Sequence, residues 1–184
     1  MFRKTLITGI IALSTLSTCG AFAQENAIRF VGSVSSQTCN ISVNDSTSTS
    51  PMILMSAAKA SDLSTAGDTS TPTTFKLKLT GCTDPGTNGQ SIKIHFASNN
   101  VDASGNLANI APSAKAAQNV AIQLLDADSH VIDLSSGEAT AKGFTLASGA
   151  NSGDAQYTAQ YIATGGAATA GDVEATVQYA ISYL

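Results

Sequence analysis

DVEATVQYAISYL, residues 172–184, alternates without interruption. Val173, Ala175, Val177, Tyr179, Ile181 and Tyr183 fall on one face of an extended chain, and Glu174, Thr176, Gln178, Ala180 and Ser182 on the other. A period of two is the mark of a β-strand with one face in a core. The pattern reaches Tyr183, one residue from the end of the sequence, so no later segment is expected to pair with its free edge. A long, regular edge strand is an aggregation hazard unless something covers it.

The same period recurs upstream. In TFKLKLTGC, residues 74–82, Phe75, Leu77 and Leu79 oppose Lys76 and Lys78; in SIKIHFAS, residues 91–98, Ile92, Ile94 and Phe96 oppose Lys93 and His95. NVAIQLLDAD (119–128) is a short apolar run closed by Asp126 and Asp128, followed after a turn at Asp128-Ser129 by VIDL from Val131. QYTAQYIAT (156–164) aligns Tyr157, Ala159, Tyr161 and Ala163. Turn-rich segments separate these runs: DPGTNG (84–89), SNNVDASGN (98–106), ASGANSGD (147–154) and TGGAATAGD (164–172). APSAKAAQ (111–118) is expected to make one helical turn, and MILMSAAKASDL (52–63) fits neither period cleanly. Short strands between turns, with no alternation of strand and helix, predict an all-β sandwich or barrel.

The opening MFRKTLITGIIALSTLSTCGAFA combines Arg3 and Lys4, an apolar run from Leu6 to about Leu16, and Ala21-Phe22-Ala23. That is the layout of a secretory signal peptide over residues 1–23, and its apolar run is shorter than the roughly 20 residues of a spanning helix. LSTC, ending at Cys19, offers a lipoprotein signal instead, but Thr18 is bulkier than such sites prefer. Cleavage after Ala23 leaves 161 residues, the size of one domain, and moves the net charge from −4 to −6. An acidic chain without a basic cluster is a poor partner for nucleic acid or an anionic membrane. Cys39 and Cys82 remain, and two cysteines in an exported domain are best read as a disulfide. Closing a loop of that length is worth roughly 4 kcal/mol on the chain-entropy model.

No catalytic constellation is visible, and no cofactor or metal is called for. His95 shares the outward face with Lys93, and His130 sits with Asp126, Asp128 and Ser129 at an expected hairpin tip; such a cluster could hold a cation, but a solvated tip is the simpler reading. Zinc lacks ligands, since neither cysteine has a CxxC partner. GxSxG, HExxH, phosphate-loop and EF-hand patterns are absent. The chain is therefore not expected to be an enzyme. Tyr157, Tyr161, Tyr179 and Tyr183 lie on inward faces, which favours core or interface over a sugar platform. Asn40-Ile41-Ser42 matches a glycosylation acceptor, a pattern frequent by chance.

A second strong strand stands at the start of the mature chain. AIRFVGSV, residues 27–34, carries Ile28, Phe30, Gly32 and Val34 on one face. Closing this strand on residues 172–184 would complete the fold; leaving both to other partners would not, and the pattern leaves both open.

The order of these features resembles a chaperone-usher pilin, a structural subunit of Gram-negative fimbriae of the type 1 kind. The resemblance rests on Ile28-x-Phe30-x-Gly32 ahead of Cys39, Cys82 some forty residues later, NVAIQLLDAD, and QYIATGGAATAGDVEATVQYAISYL with Gly171 fourteenth from the end and Tyr183 penultimate. Leu184 departs from the polar residue that many relatives carry there. The resemblance implies an immunoglobulin-like sandwich lacking its last strand, residues 37–184, behind an N-terminal donor-strand extension at 24–36. Ile28, Phe30, Gly32 and Val34 would be the donor strand; Gly171, Val177, Tyr179, Ile181 and Tyr183 would form the groove edge and chaperone contact. The implied partners are a periplasmic pilus chaperone, an outer-membrane usher and neighbouring subunits. The implied role is a shaft subunit, secreted through the periplasm to a surface fimbrium that supports cell adhesion. A receptor-binding minor adhesin is the alternative, although such adhesins usually carry a separate lectin domain and lack the extension.

Overall fold

The computed structural model describes residues 39–83 and 86–184. They form eight strands: β1 (Asn40–Val43), β2 (Thr69–Thr80), β3 (Gln90–Ala97), β4 (Leu107–Ala108), β5 (Val120–Leu125), β6 (Glu138–Leu146), β7 (Ser152–Ala163) and β8 (Gln178–Tyr183). The helical content is one 3₁₀ turn, Ala60–Leu63, within the stretch whose period was mixed. The expected turn in 111–118 is present, with the Lys115 and Ala116 amides both donating to Pro112 O.

All strand pairs are antiparallel and fall into two sheets, ordered β1-β2-β7-β5-β4 and β6-β3-β8. The alternation read from sequence is what buries the core. Phe75, Leu77 and Leu79 of β2, Ile92, Ile94 and Phe96 of β3, Ile122 and Leu124 of β5, and Tyr157 and Ala159 of β7 meet in one cluster between the sheets. Tyr157 is fully buried and touches Phe96 edge-on, with ring centroids 5.1 Å apart. Its hydroxyl donates to Lys142 O at 2.8 Å, which removes the cost of burying an unpaired polar group.

Two irregularities set local register. Pro72 interrupts β2 between Ser70 and Thr73, where the pairing with β7 slips; β1 does not reach that far along β2, so the missing amide costs no ladder bond on that side. Gly143 faces the slip between Ile92 and Ile94, where a Cβ would lie 1.9 Å from Ile92 O. The Cys39–Cys82 disulfide forms as expected, with Cα atoms 4.2 Å apart, and ties the start of β1 to the end of β2.

Candidate functional site

The outer edge of β8 defines the site. β8 pairs with β3 from Ile92↔Tyr183 to Ala97↔Gln178, and among the described residues nothing pairs with its other side. Its neighbour β3 has a fully covered inner face, with Ile92, Ile94 and Phe96 at 2%, 0% and 1% exposure. The inner face of the C-terminal segment differs: Val173, Ala175, Val177, Tyr179, Ile181 and Tyr183 all pack against the core, yet each stays half-buried. Burial holds the Tyr183 and Tyr161 phenols above their usual pKa. Among the described residues no strand lies beyond β8 on this side.

A second extended stretch packs on the same core cluster. Residues 51–56 alternate in burial, with Ile53 and Met55 packed on the core and Met52 and Leu54 turned outward. Among the described residues this stretch makes no backbone hydrogen bond. Beyond its end, Leu63 O accepts from Ala168 N, in the loop ahead of the C-terminal segment, at 2.8 Å. Just beside that junction is a cavity of about 320 Å³ lined by Met55, Ala57, Ala58, Leu63, Gly171 and Val173, among others.

Gly171 is placed there by a close backbone approach. A Cβ at this position would lie 2.4 Å from Ala117 N and 2.6 Å from Lys115 O. The bare glycine lets the next residue bond on both sides of the 111–118 turn: Asp172 N donates to Lys115 O at 2.7 Å, and Ala117 N to Asp172 O at 3.0 Å. Asn109 extends the anchor, its Nδ2 donating to Ala117 O and Asp172 O while its Oδ1 accepts from Glu174 N. Ser98 Oγ donates to Thr176 O at 2.9 Å. Residues 172–177 therefore run along a loop, and the continuous strand expected from Val173 begins at Gln178. Val177 stands just ahead of β8, while Tyr179, Ile181 and Tyr183 lie on it.

The family model for Fimbrial protein matches residues 28–184. The chain belongs to this family. It is 37% identical over 169 residues to the F17 fimbrial protein of Escherichia coli, with 90% of each chain covered. Its fold is similar to that of a subunit in a chaperone-usher pilus structure, at 20% identity and a TM-score of 0.59, covering 87% of this chain and 96% of that one. It is also similar to the P pilus rod subunit PapA, at 21% identity and a TM-score of 0.58, covering 79% and 99%. The sandwich is thus the immunoglobulin-like fold of pilus subunits, as the sequence implied.

Of the residues that the resemblance implies for a groove edge, Tyr179, Ile181 and Tyr183 lie on β8, Val177 just ahead of it and Gly171 against the 111–118 turn. The donor-strand residues Ile28, Phe30, Gly32 and Val34 lie outside the described residues. Sequence reasoning missed the stretch 51–58, because Met52, Ile53, Leu54 and Met55 are all apolar and show no period, and missed Asn109, which carries no motif. The histidines have local partners. His95 bridges Ser182 Oγ and Thr140 Oγ1, both at 2.9 Å, linking all three strands of its sheet. Side-chain ligand atoms of Asp126, Asp128 and His130 lie within 4.8 Å of one another. Asp126 Oδ1 accepts the amides of Asp128 and His130, and Asp128 pairs with Lys142, as suits a hairpin tip.

Proposed function

We propose that this chain is a structural subunit of a fimbrial shaft, built by the chaperone-usher route and polymerised by donor-strand exchange. The observation that carries this reading is the half-buried inner face of residues 173–183, unpaired on its outer side among the described residues, together with the unbonded stretch 51–58, whose Met55 lines one cavity with Val173. An extended segment laid between them satisfies backbone groups on both walls and covers the apolar face, the mode of strand addition to an open edge. In the periplasm the occupant is a chaperone strand; at the outer-membrane usher, residues 24–36 of the next subunit replace it. Ile28, Phe30 and Val34 supply the apolar side chains, each worth roughly 1.5–3 kcal/mol when buried, and Gly32 passes where the groove is shallow. The subunit then leaves the periplasm as part of a surface fibre that supports adhesion.

Deleting residues 24–34 tests the proposal. The truncated subunit is expected to fold with its chaperone and accept a neighbour's strand, while failing to dock behind another subunit, so fibres stop at each truncated copy. Loss of folding even with chaperone present would instead show that the strand closes its own domain.

A further inference from the structure

Among the described residues the two sheets end on four edge strands, β1 and β4 on one, β6 and β8 on the other. An unpaired edge is a template for a strand of another chain, and proteins blunt it by shortening it, by placing charge or proline on it, or by a bulge. β1 and β4 are short, at four and two residues. The part of β2 that β1 does not reach carries Pro72 behind Thr71, whose φ is 55°. β8 has none of these devices: Gln178–Tyr183 holds no charge, glycine or proline, and its ladder to β3 runs without a slip. β6 is the longest of the four, at nine residues, so its edge needs the most protection.

What is unusual about β6 falls on Lys142 and Gly143. Between the pairs Ile94↔Ala141 and Ile92↔Phe144 these two residues oppose Lys93 alone, a bulge that breaks the regular spacing of backbone groups. The Lys142 carbonyl accepts the hydroxyl of the buried Tyr157, and its ammonium pairs with Asp128 of the 126–130 tip. That pairing holds the Lys142 ammonium above its usual pKa; burial, and after it the Asp126 charge, does the same for the Tyr157 phenol. The tip closes on itself: Asp126 N donates to His130 O, and Asp126 Oδ1 accepts the amides of Asp128 and His130. The cluster of Asp126, Asp128 and His130 thus has a use in the fold, since Asp126 shapes the tip and Asp128 fastens it to β6.

We propose that the bulge at Lys142 and Gly143, with the 126–130 tip fastened to it, is an edge guard that keeps β6 from pairing with the β6 of a second copy. Lys142 is the middle residue of β6, so a symmetric antiparallel pair centred on it has two poor choices. Either the ion pair stays and the tip stands beside the joint, or it breaks and the ammonium groups of both copies face each other, which destabilises a cross-strand pair. The guard stands on β6 alone. That β8 is thereby left as the edge that recruits a strand rests on the donor-strand reading above.

The test places Thr140→Cys, at an exposed position of β6, in the full chain and follows copy-to-copy capture by a short bis-maleimide. Capture is expected to be low in this parent and to rise about two- to thirtyfold on adding Asp128→Ser with Lys142→Thr, the range for one unfavourable cross-strand pair from each copy. Both positions are exposed, where substitutions leave a fold standing, and Asp128→Ser alone, which leaves β6 untouched, should move capture the same way. Variants that fold with the parent's thermal midpoint and are captured no more than the parent overturn the guard. Asp128→Lys with Lys142→Glu rebuilds the pair with its charges exchanged and should return capture to the parent level; capture as high as in the Ser/Thr variant would show that the fastened tip does not close the edge. Deleting residues 24–34 from the Ser/Thr variant should leave its capture unchanged. Loss of capture there would mean that copies meet through the extension, which overturns the guard, whereas the donor-strand reading is judged separately by fibre docking.

Discussion

A methyl group at residue 171 would collide with the backbone of the 115–117 turn, and neither side can yield without losing the bonds of Asp172. Gly171→Ala is expected to cost about 1–3 kcal/mol, the range for forced overpacking, read as a lower urea midpoint. Asp126 is a case for pH. Burial works against its ionisation, but the amides of His130 and Asp128 donate to it and outweigh that cost, holding its pKa below the usual carboxylate value. A depressed folded pKa contributes stability that is present above the unfolded value, near pH 4, and is lost as pH falls through the folded one. Asp126→Asn should therefore lower the urea midpoint at pH 7 and have a shrinking effect toward pH 3; an undiminished effect at pH 3 would rule out the charge as its source. Much at this scale was legible. The penultimate Tyr183 and Gly171 stood out by position, whereas Asn109 did not, because its role depends on three chain segments that only folding brings together.

Strands announced themselves in proportion to their apolar contrast. β2, β3, β5 and β7 set large apolar residues against polar ones and were read directly. β6 escaped because its inward residues begin with small Ala139 and Ala141, and the register slip at Gly143 breaks the period before Phe144 and Leu146. β1 is NISV, too short for any period, and its first three residues were read as a glycosylation acceptor. β8 is shorter than its alternation, since hydrophobic alternation reports burial while a strand also needs a continuous ladder; residues 172–177 have the first but of the second only an isolated bridge, Asp172 to Ala116, and single bonds such as Ile110 N to Glu174 O. The short β1 owes its placement partly to its covalent tie. Replacing Cys39 and Cys82 by serine is expected to cost up to about 4 kcal/mol on the chain-entropy model, seen as a fall in thermal midpoint and greater protease sensitivity of the segment ahead of β2.

At the scale of the fold, the sheets among the described residues are unequal, five strands against three, and the proposed reading supplies a further strand from another chain. A subunit lacking residues 24–34 should therefore be stabilised by a peptide of residues 24–36 by mass action, about 2.7 kcal/mol at a hundredfold excess over Kd. Its thermal midpoint is expected to climb with peptide concentration, and a Phe30→Asp peptide should leave it unmoved. The disulfide has a mechanical side as well. On the donor-strand reading, tension on residues 24–36 of a fibre subunit passes through Cys39, immediately ahead of β1, whose ladder spans only Asn40↔Thr80 to Val43↔Leu77. The bond to Cys82 passes that load around β1 and into the end of β2, a 12-residue strand with a long ladder to β7. Peeling of β1 is thereby short-circuited, and the force a subunit can bear is set by its longest strand pair.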